Sequence, residues 1–212
     1  FIAVSVGFEG DPWDIFSKGG EIKNALPLGT VLTLAATGSE MNERSVISRV
    51  STCEKLNFAS PLVFPKFSVL DPEMTYSLPA RQVANGVVDS FIHVVEQYLT
   101  YPVNAKVQDA FSEGLMRVIH EEGLKVLDNP NDYDIRANLM WAATNALNVW
   151  IGQGVPQDWS SHRMGYALTA QFGLDHAQTL AILLPGVMTY MFKEKQVKLA
   201  RMGEVVFGIT DG

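Results

Sequence analysis

Residues 77–99 read SLPARQVANGVVDSFIHVVEQYL, and the predicted architecture of the chain changes where this segment begins. Ser77 is typical of a helix N-cap, and Pro79 is typical of a first helical turn. From Ser77 onward the apolar residues recur with the period of a helix. The sequence therefore predicts a long helix from Ser77 to about Leu99 and a change of architecture at residue 77.

The two sides of this boundary differ in their predicted elements. Strands are predicted at 28–36 (LGTVLTLAA), 45–50 and 67–70, with a polar stretch containing Lys55 between the second and third. Further helices are predicted at 105–127, 134–151, 156–172, 175–192 and 194–207, with an end at Gly173 and a bend or interruption near Pro185. We therefore expect a strand-bearing part, 1–76, and a helical domain, 77–212.

Composition excludes several function classes. The chain is 47% hydrophobic and 18% charged, which is typical of a soluble globular protein. A net charge of -7, with Lys and Arg scattered singly, argues against a nucleic-acid partner. No apolar run approaches the length of about 20 residues that a membrane helix needs. We therefore expect no membrane partner. The single cysteine, Cys53, cannot form an intramolecular disulfide, so we expect a reducing, cytoplasmic location.

Histidines and one aspartate suggest a metal site. Asp89 and His93 are four residues apart on the helix of 77–99, so both side chains project from one face. His162 lies in a later helix, and His176 follows fourteen residues on, after the Gly173 turn. One carboxylate and three imidazoles are a ligand set that Fe²⁺ or Zn²⁺ accepts.

The spacing alone leaves a second interpretation open. An Asp and a His four apart on a helix also form ordinary hydrogen-bonded pairs, and a single His is often a core residue with its bonds satisfied. An Asp on an otherwise apolar helix face needs a partner, and a cation is one such partner. The fourth histidine, His120, lies beside two glutamates near a helix end, and we interpret it as a solvated partner of the helix dipole.

A second motif concerns phosphate or ribose binding. The predicted strand of 28–36 continues into Thr37, Gly38 and Ser39 within TLAATGSE (33–40). Hydroxyls and backbone N–H groups at such a turn can bind a phosphate, although the same residues also form simple turns.

Four longer stretches resemble one family, the iron-containing (group III) alcohol dehydrogenases. They are ALPLGTVLTLAATGSEMN (25–42), VLDPEMTYSLPARQVANGVVDSFIHVVEQYLTYPV (69–103), RANLMWAATNALN (136–148) and GVPQDWSSHRMGYALTAQFGLDHAQTLAILLP (154–185). The resemblance is strongest to bacterial NAD(P)H-dependent broad-range aldehyde reductases and butanol dehydrogenases. It covers essentially the whole chain.

The resemblance implies a fold and an activity. The fold is the dehydroquinate synthase-like superfold, with an α/β N-terminal remnant of a dinucleotide-binding domain and an all-α C-terminal metal-binding domain. The activity is hydride transfer between NAD(P)H and an aldehyde or primary alcohol, in a homodimer that uses Fe²⁺ or Zn²⁺. The implied metal ligands are Asp89, His93, His162 and His176, and the implied nucleotide contacts are Thr33, Thr37, Asn42, Lys55, Met74 and Ser77.

Departures from the family pattern keep alternatives open. The family's glycine-rich GGGS loop is expected before Phe1, and members continue past Gly212, so we expect a central portion of a longer protein. Tyr166 stands where many members have a histidine that helps relay a proton. The alternatives are a glycerol-dehydrogenase-like or dehydroquinate-synthase-like zinc enzyme, or a non-catalytic helical fragment.

Overall fold

The computed structural model describes residues 1–210, with all strands before residue 70 and all long helices after residue 79. Two short helices lie at Ile2–Ser5 (α1) and Asp14–Ser17 (α2), and the strands are Gly29–Val31 (β1), Arg44–Arg49 (β2), Glu54–Ala59 (β3) and Phe67–Val69 (β4). The long helices are Ala80–Tyr98 (α3), Lys106–Lys125 (α4), Tyr133–Leu147 (α5), Ser160–Phe172 (α6), His176–Tyr190 (α7) and Phe192–Phe207 (α8). The expected fold class, an α/β part followed by a helical part, is confirmed.

The strands form two small sheets. β1 pairs with β4 in parallel, with Gly29 opposite Phe67. β2 and β3 form an antiparallel hairpin, with Arg44 opposite Ala59. Residues of β2 alternate between exposed and half-buried, and β3 packs against α6. The hairpin thus forms a wall beside the helical part.

The strand predictions were partly wrong. The strand predicted at 28–36 is shorter in the structure. Its last hydrogen bond to β4 is the one that Leu32 N–H donates to Val69 O at 3.0 Å. The chain then turns towards α3, where Ser90 Oγ donates to Ala36 O at 3.3 Å. The polar segment that contains Lys55 is itself a strand, β3. The hydrophobic pattern did not predict this strand, because half of its residues are exposed.

Several helix predictions also differ from the structure, since α5 ends at Leu147 rather than at 151 and α6 begins at Ser160 rather than at 156. Ser77 is exposed and does not cap α3, which begins at Ala80 after Pro79 in extended backbone. The interruption expected near Pro185 is absent, because α7 continues through Pro185 to Tyr190. A proline can remain in a helix when tertiary packing stabilises the turns on either side.

The main core lies among the helices. α3 packs against α4, α5 and α7, and α8 packs on α4. The buried members of this core are Val94, Val95, Tyr98, Leu99, Met116, Ile119, Ala142, Ala146, Ile151, Met202 and Val206. Among the described residues, no helix has the length and apolar character needed to cross a membrane.

Candidate metal and nucleotide site

Asp89 and His93 lie on the buried face of α3, with 5% and 4% of their surfaces exposed. Their neighbours Ile92, Val94 and Val95 are also buried. A carboxylate in such apolar surroundings is unfavourable unless positive charge or hydrogen-bond donors compensate it. The face of α3 therefore requires partners from other helices.

Those partners come from α6 and α7, which form an antiparallel pair. Gly173 ends α6 in the left-handed conformation (φ 67°), and Asp175 and Gln178 form a capping box at the start of α7. At Gly165 the helices approach so closely that an added Cβ would lie 2.7 Å from Thr179 Oγ1. This packing brings His162 of α6 and His176 of α7 to the Asp89 face.

Three imidazoles surround one carboxylate oxygen. Asp89 Oδ1 lies 3.6 Å from His93 Nε2, 3.6 Å from His162 Nε2 and 3.9 Å from His176 Nε2. These separations are longer than hydrogen bonds, and within the described part of the chain Asp89 Oδ1 and His162 Nε2 are buried without a hydrogen-bond partner. Ligand atoms of Asp89, His162 and His176 lie within 4.8 Å of one another. Buried oxygen and nitrogen atoms that converge in this way without hydrogen-bond partners are suitable ligands for a metal ion.

The electrostatics of the site favour an ionised Asp89 and neutral imidazoles at His93 and His176, whereas His162 is protonated more readily. Burial lowers the pKa of both His93 and His176 to about 4, although Asp89 opposes this effect. Burial acts to raise the pKa of Asp89, but the surrounding histidines lower it overall. Burial likewise opposes protonation of His162, yet the carboxylates of Asp89 and Glu96 raise its pKa. Neutral imidazoles and a carboxylate are the forms that bind divalent metals.

These shifts predict acid sensitivity of the metal-free protein. His93 and His176 stay neutral when folded until the pH reaches about 4, whereas unfolded histidines protonate below about 6.5. The unfolded state then binds more protons, so stability should fall between pH 6.5 and 4. The raised pKa of His162 has the opposite sign, but its contribution is already complete below pH 6.5. Urea unfolding midpoints measured across this range test the prediction.

The matched variant for this measurement is His176→Gln. It removes one of the two histidines that must protonate on unfolding, so its midpoint should fall less with acid than the wild-type midpoint. Carboxylates away from the site affect both proteins equally, whereas Asp89 loses one of the interactions that lower its pKa. Parallel curves for the two proteins between pH 6.5 and 4 would contradict the proposed neutral state of His176.

A cavity of about 580 Å³ opens above the site. Of the predicted nucleotide contacts, Thr37, Asn42 and Lys55 line this cavity, whereas Thr33, Met74 and Ser77 lie outside it. Lining residues that sequence reasoning missed are Arg44, Gln82, Asn85, Trp159 and Arg163. Trp159 had one available signal, its position three residues before His162 at the start of α6.

Lys55 and Asn42 differ in what their side chains can offer a ligand. Lys55, on β3, is half-buried with Nζ 5.3 Å from the ring centroid of Tyr166, and burial lowers the pKa of Lys55 although Asp89 opposes the shift. Asn42 is already engaged, because its amide donates to Thr37 O at 3.0 Å and to Leu147 O at 3.1 Å. Lys55 is thus available for a ligand, and Asn42 holds the Thr37 turn against α5.

His120 lies outside this cluster. Its ring packs edge-on against Phe207, with centroids 5.0 Å apart, and the residue is half-buried. We did not expect His120 to be a metal ligand, and it lies away from Asp89. We expected a solvated side chain at the helix end, whereas the ring packs against Phe207.

Sequence comparisons extend these observations. A family model described as "Fe-containing alcohol dehydrogenase family, C-terminal" matches residues 83–212, and one described as "Iron-containing alcohol dehydrogenase" matches residues 1–72. The chain is 56% identical to the NADPH-dependent aldehyde reductase YqhD of Escherichia coli, covering 100% of this chain and 56% of that protein. It is 40% identical to a probable NADH-dependent butanol dehydrogenase of Bacillus subtilis, covering 99% of this chain and 54% of that protein.

The chain also resembles solved structures of an aldehyde reductase and a butanol dehydrogenase. The fold matches the crystal structure of E. coli YqhD with a TM-score of 0.97 at 55% identity, over 100% of this chain and 55% of that one. It matches NADH-dependent butanol dehydrogenase A of Thermotoga maritima with a TM-score of 0.95 at 34% identity, over 100% of this chain and 53% of that one. The chain thus spans about half the length of the relatives it matches.

Proposed function

Because this chain belongs to the iron-containing alcohol dehydrogenase family, we propose that the protein it forms part of transfers a hydride between NAD(P)H and an aldehyde or primary alcohol. The observation that supports this most directly is the convergence of three imidazole nitrogens on Asp89 Oδ1 at the floor of a cavity. The two relatives compared by sequence are named an aldehyde reductase and a butanol dehydrogenase, each nicotinamide-dependent.

Asp89, His93, His162 and His176 would hold the metal, which is Fe²⁺ in our proposal, with Zn²⁺ as the alternative that the ligand set also accepts. A divalent metal supplies a Lewis acid that polarises a substrate carbonyl. Asp89 contributes one negative charge, which offsets half of the charge on the ion. The near-complete burial of Asp89, His93 and His162 lowers the local dielectric constant and strengthens these electrostatic interactions.

Other residues of the cavity would orient the reactants. Trp159 lies beside His162, with ring centroids 5.1 Å apart, and Tyr166 lies beside His176, with ring centroids 5.5 Å apart. Two aromatic walls suit a flat nicotinamide and a small apolar substrate. Burial raises the pKa of Tyr166, so its hydroxyl stays protonated near neutral pH and can donate a hydrogen bond to a bound oxygen.

For the nucleotide, we propose Lys55 and Thr37 as direct contacts. Thr37 is exposed towards the cavity in the turn that follows Ala36, and Asn42 supports that turn through its two hydrogen bonds. Thr33, Met74 and Ser77 line no part of the cavity, so a nucleotide contact from them would need a ligand that extends beyond its walls.

Replacement of Lys55 with alanine should weaken NAD(P)H binding by about tenfold to a hundredfold. A charge-assisted hydrogen bond contributes about 1.5–3 kcal/mol, which corresponds to that range of dissociation constants. Fluorescence titration of the complete protein with NADPH and NADH measures the effect. Lys18→Ala is the control, because Lys18 is an exposed lysine paired with Asp14 on α2. Equal cofactor affinity in the Lys55 variant and the wild type would contradict this role.

The reaction itself is tested on the complete protein, purified without oxygen. Metal content is measured, and three reactions are followed separately: NAD(P)H oxidation with butanal, NAD(P)⁺ reduction with glycerol, and phosphate release from a sugar-acid phosphate. Turnover of butanal supports the aldehyde reductase, turnover of glycerol supports a glycerol dehydrogenase, and reaction of the phosphate supports a dehydroquinate-synthase-like lyase. Absence of metal and of all three activities would favour the non-catalytic alternative.

Assembly and location complete the proposal. We propose a homodimer, which sedimentation analysis measures directly. A cytoplasmic location is proposed because the single cysteine, Cys53, is exposed and free, as a reducing compartment permits. No nucleic-acid partner is proposed, since the net charge is -7.

A further inference from the structure

Glu96 is a buried carboxylate outside the proposed ligand set, and only 4% of its surface is exposed. It lies on α3, seven residues after Asp89 and three after His93, so all three side chains project from nearly the same face of the helix. A buried glutamate among apolar neighbours is costly unless its oxygens accept hydrogen bonds. Both oxygens of Glu96 do so.

Every bond that Glu96 makes to another element goes to one short segment. Its Oε2 contacts His162 Nδ1, and its Oε1 accepts from Ser161 N–H at 2.6 Å. Its backbone carbonyl accepts from Asp158 N–H at 2.9 Å. Glu96 therefore binds the start of α6 at three points, including the histidine ring itself.

These contacts determine which nitrogen of His162 can bind a metal. An ionised carboxylate only accepts hydrogen bonds, so the Nδ1 that faces Glu96 carries the proton. The lone pair of Nε2 is then free, and Nε2 lies 3.6 Å from Asp89 Oδ1 without a hydrogen-bond partner among the described residues. Across those residues, Nδ1 of His93 and Nδ1 of His176 lack such a partner, so His162 differs from the other two.

We propose that Glu96 is a positioning residue that fixes the tautomer and ring orientation of His162, so that Nε2 is presented to the metal. This inference rests on the proposed function, because it assumes that His162 is a ligand. A carboxylate behind a ligating histidine increases the basicity of that ligand, and loss of such a partner lowers metal affinity about tenfold to a hundredfold.

The test compares Co²⁺ binding by Glu96→Gln and wild type in the complete protein after removal of the native metal. Glutamine keeps the volume but replaces one carboxylate oxygen with an NH₂ donor, so Ser161 N–H and His162 Nδ1–H no longer each face an acceptor oxygen. We expect Co²⁺ affinity, measured by chelator competition, to fall about tenfold to a hundredfold. The visible Co²⁺ spectrum of the variant should also change, because the ring of His162 is no longer fixed.

Glu113→Gln is the matched control. Glu113 accepts hydrogen bonds from Tyr98 Oη at 3.0 Å and from Arg201 Nε at 3.0 Å, on the α8 side of α4, so its loss should lower thermal stability without changing Co²⁺ affinity or spectrum. Glu96→Ala removes both acceptors and should bind Co²⁺ more weakly than Glu96→Gln.

The outcomes separate this inference from the function on which it rests. If wild type binds no Co²⁺, the proposed metal site itself is wrong. If wild type binds Co²⁺ and Glu96→Gln binds it with the same affinity and spectrum, only the positioning role is wrong. A lower melting temperature with unchanged Co²⁺ binding would show that Glu96 merely stabilises the fold and would likewise overturn the inference.

Discussion

Replacement of His162 with alanine is expected to release the metal and to reduce aldehyde reduction to background. Four-ligand metal sites bind with about 10–16 kcal/mol, or roughly 3 kcal/mol per ligand, which is about two powers of ten in affinity. The loss should exceed this value, because Asp89 Oδ1 and Glu96 would both lose the imidazole that they face. Metal content after dialysis and NADPH oxidation with butanal measure the two effects.

The same variant should unfold at a lower temperature when metal is supplied. The site joins α3, α6 and α7, so bound metal stabilises the folded state by mass action. His120→Ala is the control, since His120 packs against Phe207 away from the site and its loss should leave metal content unchanged. Stoichiometric metal in purified His162→Ala protein would refute the ligand set.

Replacement of Gly86 with alanine is expected to separate α3 from the segment that precedes Thr37. A Cβ at Gly86 would lie less than 3.0 Å from the carbonyl oxygen of Ala35, which is backbone and cannot rotate away. Overpacking of this kind costs about 1–3 kcal/mol. The same displacement moves Thr37, so weaker NADPH binding should accompany the lower unfolding free energy. Urea unfolding and nucleotide titration measure both.

Gly114→Ala is the matched control for this substitution. Gly114 lies inside α4, and nothing lies within 4 Å of an added Cβ there. Alanine should therefore stabilise α4 by about 0.5–1 kcal/mol through helix propensity alone. If Gly86→Ala were also stabilising, the close approach of α3 to Ala35 would be incorrect.

The sequence can indicate the ligand candidates because each has a local signal. Asp89 and His93 share a helix face by spacing, and Gly173 marks the turn that brings the helices of His162 and His176 together. The structure brings all four side chains together, while their binding of metal stays a prediction. The comparisons confirm the fold class and the family.

Other features had no such signal. β3 lacks a regular alternation of buried and exposed residues and includes the polar residues Glu54, Lys55 and Asn57, so its pairing with β2 depends on tertiary context that the hydrophobic pattern does not carry. Glu96 was overlooked because a glutamate inside a helix usually lies at the surface, and its burial follows only from the contact between α3 and the start of α6. Thr33 was placed in a longer strand, but the chain leaves the sheet after Leu32.

The three charged or ligating side chains of α3 also restrict where the chain length can change. Asp89, His93 and Glu96 occupy one face between positions 89 and 96, and each inserted residue rotates everything beyond it by about 100° around the helix axis. A one-residue insertion between Asp89 and Glu96 would move the glutamate to the buried position of Gln97, where it would face Ala146 O, and would place Val95 opposite His162. Insertions or deletions are therefore better tolerated in exposed connections between helices, such as residues 101–104 between α3 and α4, than within α3.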